Sequence, residues 1–85
     1  MGGTKADKKK NAINRLNTAL TKQGSEVAKT LKKLIEERRK ADLPSALEAV
    51  FDWLRKNPSV EQHDEIWTKA LEVEQAHNDA CGVLS

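Results

Sequence analysis

Eighty-five residues with two tryptophans, one phenylalanine and no tyrosine, a third of them charged, make a chain the size of one small domain. The lone cysteine, Cys81, has no partner for an intrachain disulfide, and no run approaches the roughly 18 uninterrupted apolar residues that span a bilayer. The net charge of +2 conceals a split: twelve Lys/Arg against four Asp/Glu over residues 1–40 give +8, and three against nine over residues 41–85 give −6.

Nothing near the amino terminus resembles the apolar run of a signal peptide, so the expected compartment is a reducing cytoplasm. Met1-Gly2-Gly3-Thr4-Lys5-Ala6 approaches a myristoylation signal, but Ala6 stands where that signal has Ser or Thr. Ala, Leu, Lys and Glu dominate, β-branched and aromatic residues are sparse, and no segment alternates for long; the expected class is all-α. Residues 1–5 are expected as a disordered start and residues 6–85 as a single helical domain.

The first predicted helix runs over 6–23, with Ile13, Leu16 and Leu20 at helical spacing beside Ala12 and Ala19, and Gly24 suited to the left-handed residue that ends it. The second, over 26–41, follows Ser25 as N-cap and ends in Arg38-Arg39-Lys40, where the helix dipole favours cations. Its buried stripe is predicted as Val27, Leu31, Leu34 and Ile35. The third, over 44–57, starts at Pro44, with Ser45 and Glu48 a competing capping-box start, and buries Leu47, Val50, Phe51 and Leu54.

Asn57-Pro58 stops that helix, because the residue before proline is pushed out of the α region. The fourth, over about 60–81, begins either at Ser59, with Gln62 as capping partner, or at Asp64, and it buries Ile66, Ala70 and Val73 beside Trp67 and Leu71. Short connections favour antiparallel neighbours, so a small antiparallel bundle of four helices is expected.

The basic half is the strongest candidate site. Lys8, Arg15 and Lys22 stand seven apart, nearly two turns, and share one edge of the first helix with Asn11 and Thr18. Lys29, Lys33 and Lys40 make a comparable row on the second helix, interrupted by Glu36. With Lys9 and Lys10 these residues are the candidate nucleic-acid contacts, and Asn11, Asn14 and Asn17 add amides able to meet phosphates or base edges. A plainly solvated lysine face fits the same pattern. Aromatic stacking residues are missing from this half, which argues against a base-stacking platform for single strands and leaves a helix in the major groove of a duplex. The Ala19-to-Gly24 interval is one residue longer than in a helix-turn-helix, so a simple helical hairpin is expected there.

The acidic half permits an opposite reading. Glu61, Glu65 and Glu72, with Asp64 nearby, are predicted to share one face of the fourth helix, a surface able to imitate phosphates on a nucleic-acid-binding protein. Trp53, followed by Arg55 and Lys56, is the candidate anchor for such a protein partner. His77 and Cys81, four apart, are expected to face the core rather than to bind metal, and no metal site or cofactor is predicted. Ser25, Ser45 and Ser59 all stand at helix starts, outside any nucleophile elbow or phosphate loop, so no enzyme is expected.

The expected function is therefore a small non-enzymatic helical binding protein whose basic amino-terminal half contacts nucleic acid or another anionic partner. The alternative is an inhibitor or adaptor, of the kind phages and plasmids encode, that occludes a host protein through the acidic half. Self-association, the +8 half of one copy meeting the −6 half of the next, is a third expectation, because a fold this small buries only about 60–65% of its chain surface. No membrane partner is expected.

Overall fold

The structure, a computed structural model, describes residues 5–81, with side chains described over 7–79. It forms four α-helices: α1 (Lys5–Gln23), α2 (Glu26–Arg38), α3 (Leu43–Lys56) and α4 (His63–Cys81). Among the described residues there is no strand, and the all-α four-helix bundle expected from the sequence is the fold. The disordered start expected over 1–5 lies, but for Lys5, outside the described residues.

The α1–α2 corner is set by three consecutive residues. Gly24 takes φ +78 and donates its N–H to Leu20 O at 3.1 Å, closing α1 in a left-handed conformation that costs a side chain free energy. Ser25 then turns extended, and its Oγ accepts the Ala28 N–H at 3.1 Å, the predicted cap. The Ser25 N–H donates to Gln23 Oε1 at 3.0 Å, which pairs a second donor within the turn.

At the next corner α2 stops at Arg38 rather than at residue 41, and residues 39–41 form a turn. The Asp42 N–H bonds Arg38 O at 3.0 Å, and the Arg38 guanidinium reaches forward to Asp42 Oδ2 at 3.0 Å and Ser45 Oγ at 3.3 Å. Arg38 thereby ties the end of α2 to Asp42 and Ser45 at the start of α3. The helix begins at Leu43 without a side-chain cap, and the predicted Ser45–Glu48 capping box is not formed. Asn57 ends α3 as predicted, with its N–H on Leu54 O at 3.3 Å and its Nδ2 on Trp53 O at 2.9 Å.

Neither predicted start of the fourth helix is used: α4 begins at His63, and Gln62, at φ 62, provides the carbonyl that accepts the Ile66 N–H at 2.9 Å. The entering turn is held down by side chains whose pull the local sequence does not reveal. Val60 packs against the core, and His63 Nε2 lies 3.0 Å from Leu54 O at the end of α3, its ring stacked on Trp67 at 6.1 Å.

The core follows the predicted stripes with one exchange of register. Ile13, Leu16, Leu20, Leu47, Val50, Phe51, Leu54, Ile66, Ala70 and Val73 are all buried, each large aliphatic side chain among them contributing about 1.5–3 kcal/mol relative to exposure. On α2, however, Val27 is 45% exposed and Ala28 is buried in its place, with Leu31 and Ile35. Docking against α1 and α3 turns the line through 28, 31 and 35 inward, which leaves Val27, about 100° round the helix from Ala28, at the edge and the predicted Leu34 only half-buried. Leu71, on the flank of α4, is 44% exposed. No polar or charged residue is buried among the described residues, and Phe51 meets Trp67 edge to face at 4.8 Å across α3 and α4.

Each helix packs against two others: α1 and α3 both touch α2 and α4, with no close backbone approach between α1 and α3 or between α2 and α4. The cross-section is thus a ring in which every helix occupies a corner. That arrangement leaves α1 with a face directed away from the molecule, flanked by α2 on one side and α4 on the other.

Candidate nucleic-acid interface

The two basic rows behave differently because they lie on different flanks of α1. Lys8, Arg15 and Lys22 turn toward α4. Arg15 Nε stands 3.5 Å from Glu72 Oε1, and Lys22 Nζ stands 3.9 Å from Glu65 Oε1. Lys8 lines a shallow depression with Arg15, Glu72 and Asp79. The helices run antiparallel and both rows step by seven, so cations descending α1 meet anions ascending α4 in register. Part of the +8 is therefore neutralised inside the molecule.

On the other flank the cations gather. Lys32 Nζ donates to Thr21 Oγ1 at 2.8 Å, drawing α2 against α1. Lys29, Lys32 and Lys33 border a depression with Leu20 and Thr21. A second depression holds Asn14, Asn17, Thr18, Thr21, Lys22 and Lys32, so the two share Thr21 and Lys32. The Lys22 end of the α1 row and the α2 row thus meet on one surface, near the Gly24 turn, whereas the Lys8 end diverges from it.

Lys29 also lies 3.8 Å from Glu26 one turn earlier, and Glu36, at the edge of the first depression, is held by Arg39 at 2.9 Å and by Asn17 Nδ2 at 2.8 Å. Asn17 is consequently half-buried and directed at α2, not outward as Asn11 and Asn14 are. Lys40 stands in the turn beyond α2, so the predicted Lys29, Lys33, Lys40 row is cut after Lys33. Lys10 is exposed. Lys9 is half-buried and lies close enough to His77 on α4 that its charge adds to burial, the larger cause, in lowering the His77 pKa from 6.5.

Two members of the basic surface were not singled out by sequence. Lys32 falls between Lys29 and Lys33 and joins the site through a tertiary bond to Thr21. Lys69 belongs to the acidic half by position, yet it lines a third depression with Asn14, Arg15, Thr18 and Glu65 on the α4 flank of α1. A helical wheel of the first helix identifies its outward residues, but only the packing partners show which foreign cations border them.

The candidate protein-binding residues are distributed. Glu61 lies in the turn before α4 and not on the helix face with Glu65 and Glu72, because the helix starts two residues after it. Glu65 and Glu72 face the α1 cations, and exposed Asp64 sits 3.2 Å from His63 Nδ1. Trp53 is half-buried against the core, and Arg55 and Lys56 pair with Asp52 at 3.9 and 3.1 Å. Among the described residues no group of three His, Cys, Asp or Glu is placed to hold a metal ion, and the Cys81 side chain lies outside those described. No described helix is long and apolar enough to cross a membrane. No family model, curated protein or solved structure matches the chain.

Proposed function

We propose that this chain is a small non-enzymatic helical protein whose basic face, built from α1 and α2, contacts nucleic acid. One observation carries the reading: Lys22, Lys29, Lys32 and Lys33, from two helices, border two adjoining depressions, one completed by Asn14, Asn17, Thr18 and Thr21 and the other by Leu20, Thr21 and Glu36, whose carboxylate is taken up by Arg39 and Asn17. Ammonium groups around neutral hydrogen-bonding side chains are the chemistry that holds a phosphate backbone. Lys10 and Lys40 add long-range attraction, while Arg15, paired with Glu72, contributes less, and Lys22 is shared between this face and Glu65.

The competing reading, an inhibitor that imitates nucleic acid through Glu61, Asp64, Glu65 and Glu72, draws less support. Two of those carboxylates face cations of their own chain, and a third is off the helix. The test is titration of a labelled short DNA duplex at low salt. Saturable binding weakened by Lys29→Ala, Lys32→Ala and Lys33→Ala together is expected, and absence of binding removes the proposal.

A further inference from the structure

Resting on that reading, we infer that α1 is the helix that enters the major groove of duplex DNA, with Asn11 and Asn14 as the side chains that meet base edges. The contact topology places every helix at a corner of the bundle, so each outward face is a convex ridge, and α1 is the one whose ridge is flanked by cations on both sides. An α-helix with side chains is about 10–12 Å across, and the major groove is about 12 Å wide and 8.5 Å deep. A corner helix is the element of a bundle that such a groove admits.

The distribution of chemistry on that ridge matches the groove. Between Asp7 and Lys22 the outward line of α1 reads Asn11, Asn14, Thr18 and Thr21, all exposed and all uncharged. Charge stands at the head of the line, in Asp7, beside it, in Lys10, and on the two flanks. Lys32 on the α2 side, and Arg15 and Lys69 on the α4 side, border two depressions that share Asn14 and Thr18, and Lys29 and Lys33 stand beyond Lys32 around a third that shares Thr21. A duplex presents the complementary order: two phosphate strands bounding a floor of uncharged donors and acceptors.

The four ridge residues are not equivalent. Thr18 Oγ1 donates to Asn14 O at 2.9 Å and Thr21 Oγ1 donates to Asn17 O at 2.9 Å, so both hydroxyls have spent their proton on the helix backbone. Among the described residues no side-chain hydrogen bond engages Asn11 or Asn14. Their amides each offer a donor and an acceptor, the pair that matches the N6 and N7 positions of adenine. Glu65 and Glu72 offset the cations of the α4 flank, and on the α2 flank Glu26 pairs with Lys29 and Glu36 with Arg39, which leaves Lys32 and Lys33 as the stronger phosphate grip.

The experiment is dimethyl sulfate protection on a mixed-sequence duplex, which reports guanine N7 in the major groove and adenine N3 in the minor groove, joined to competition between A·T-rich and G·C-rich duplexes. The wild-type chain is expected to protect N7 positions and to prefer the A·T-rich duplex, and a preference for the G·C-rich duplex overturns the assignment of Asn11 and Asn14 to adenine. The double variant Asn11→Ala, Asn14→Ala is expected to keep its helicity and its salt dependence while losing about tenfold of that preference. Retained duplex binding with protection confined to adenine N3, or a preference unchanged in the double variant, overturns the groove assignment while the phosphate-binding face stands. No duplex binding at low salt overturns both.

Discussion

Arg15 and Glu72 face each other across α1 and α4 at 3.5 Å, both about half exposed, and the same seven-residue steps place Lys22 opposite Glu65. The charge split of the sequence is thus partly a packing device, in which the +8 half meets the −6 half within one molecule. Exposed pairs of this kind stabilise by about 0.2–1 kcal/mol at most, so their larger consequence is electrostatic. They hold two carboxylates beside the basic face.

Glu65→Gln and Glu72→Gln should therefore tighten duplex binding severalfold at low salt, because each removes an anion that competes with phosphate for Lys22 or Arg15. The melting temperature should change little. Weaker binding in either variant would show that these glutamates position the cations and do not compete for them.

The α1–α2 corner predicts two local costs. Ser25→Ala removes the side chain that accepts the Ala28 N–H and should destabilise the fold by about 1 kcal/mol. Gly24→Ala should cost about 1 kcal/mol for a different reason: an added Cβ meets nothing nearer than 3.8 Å, so the whole penalty is the positive φ. Denaturant unfolding at one temperature measures both, and Gly24→Asn, which tolerates that conformation better, should recover part of the loss.

Leu16 is fully buried on α1, and Leu16→Ala should cost about 2–5 kcal/mol. Val27→Ala should cost far less, since Val27 is 45% exposed. Equal losses at the two positions would contradict the register of α2.

His77 gives the pH dependence its sign. Burial and the Lys9 charge lower its pKa from 6.5, so the folded state disfavours the protonated ring relative to the unfolded chain. Its contribution is therefore intact above pH 6.5 and is lost as pH falls from there through the lowered value. Stability measured by denaturant at a series of pH values should decline over that window, and His77→Gln should flatten the decline. A slope of the opposite sign would mean that the charged ring is favoured in the folded state.

Four helices, their core stripes and the Gly24–Ser25 corner were legible in the sequence because they rest on local terms: periodicity, an N-cap hydroxyl, a left-handed glycine. The start of α4 was not, since it depends on His63 reaching Leu54 O and on Val60 reaching the core, contacts fixed by the neighbouring helix. The stripe of α2 differs from expectation at its start for a related reason, the buried face being chosen by docking against α1 and α3 and not by the largest apolar side chain. For the site, spacing identified the Lys8, Arg15, Lys22 row, but only packing shows that this row is answered by Glu72 and Glu65. Packing likewise brings in Lys32 and Lys69, whose place in sequence concealed their neighbours.

The basic face of α1 and α2 is tested most directly by the salt dependence of duplex binding, compared between the wild-type chain and the Lys29→Ala, Lys32→Ala, Lys33→Ala variant. With Lys22, Lys29, Lys32 and Lys33 each neutralising a phosphate, log affinity should fall against log salt with a slope of about −3 to −4, and the variant should lose most of it, about 0.9 per lysine removed. A wild-type slope near zero, or one that the three substitutions leave unchanged, would contradict the assignment of this face to phosphate contact.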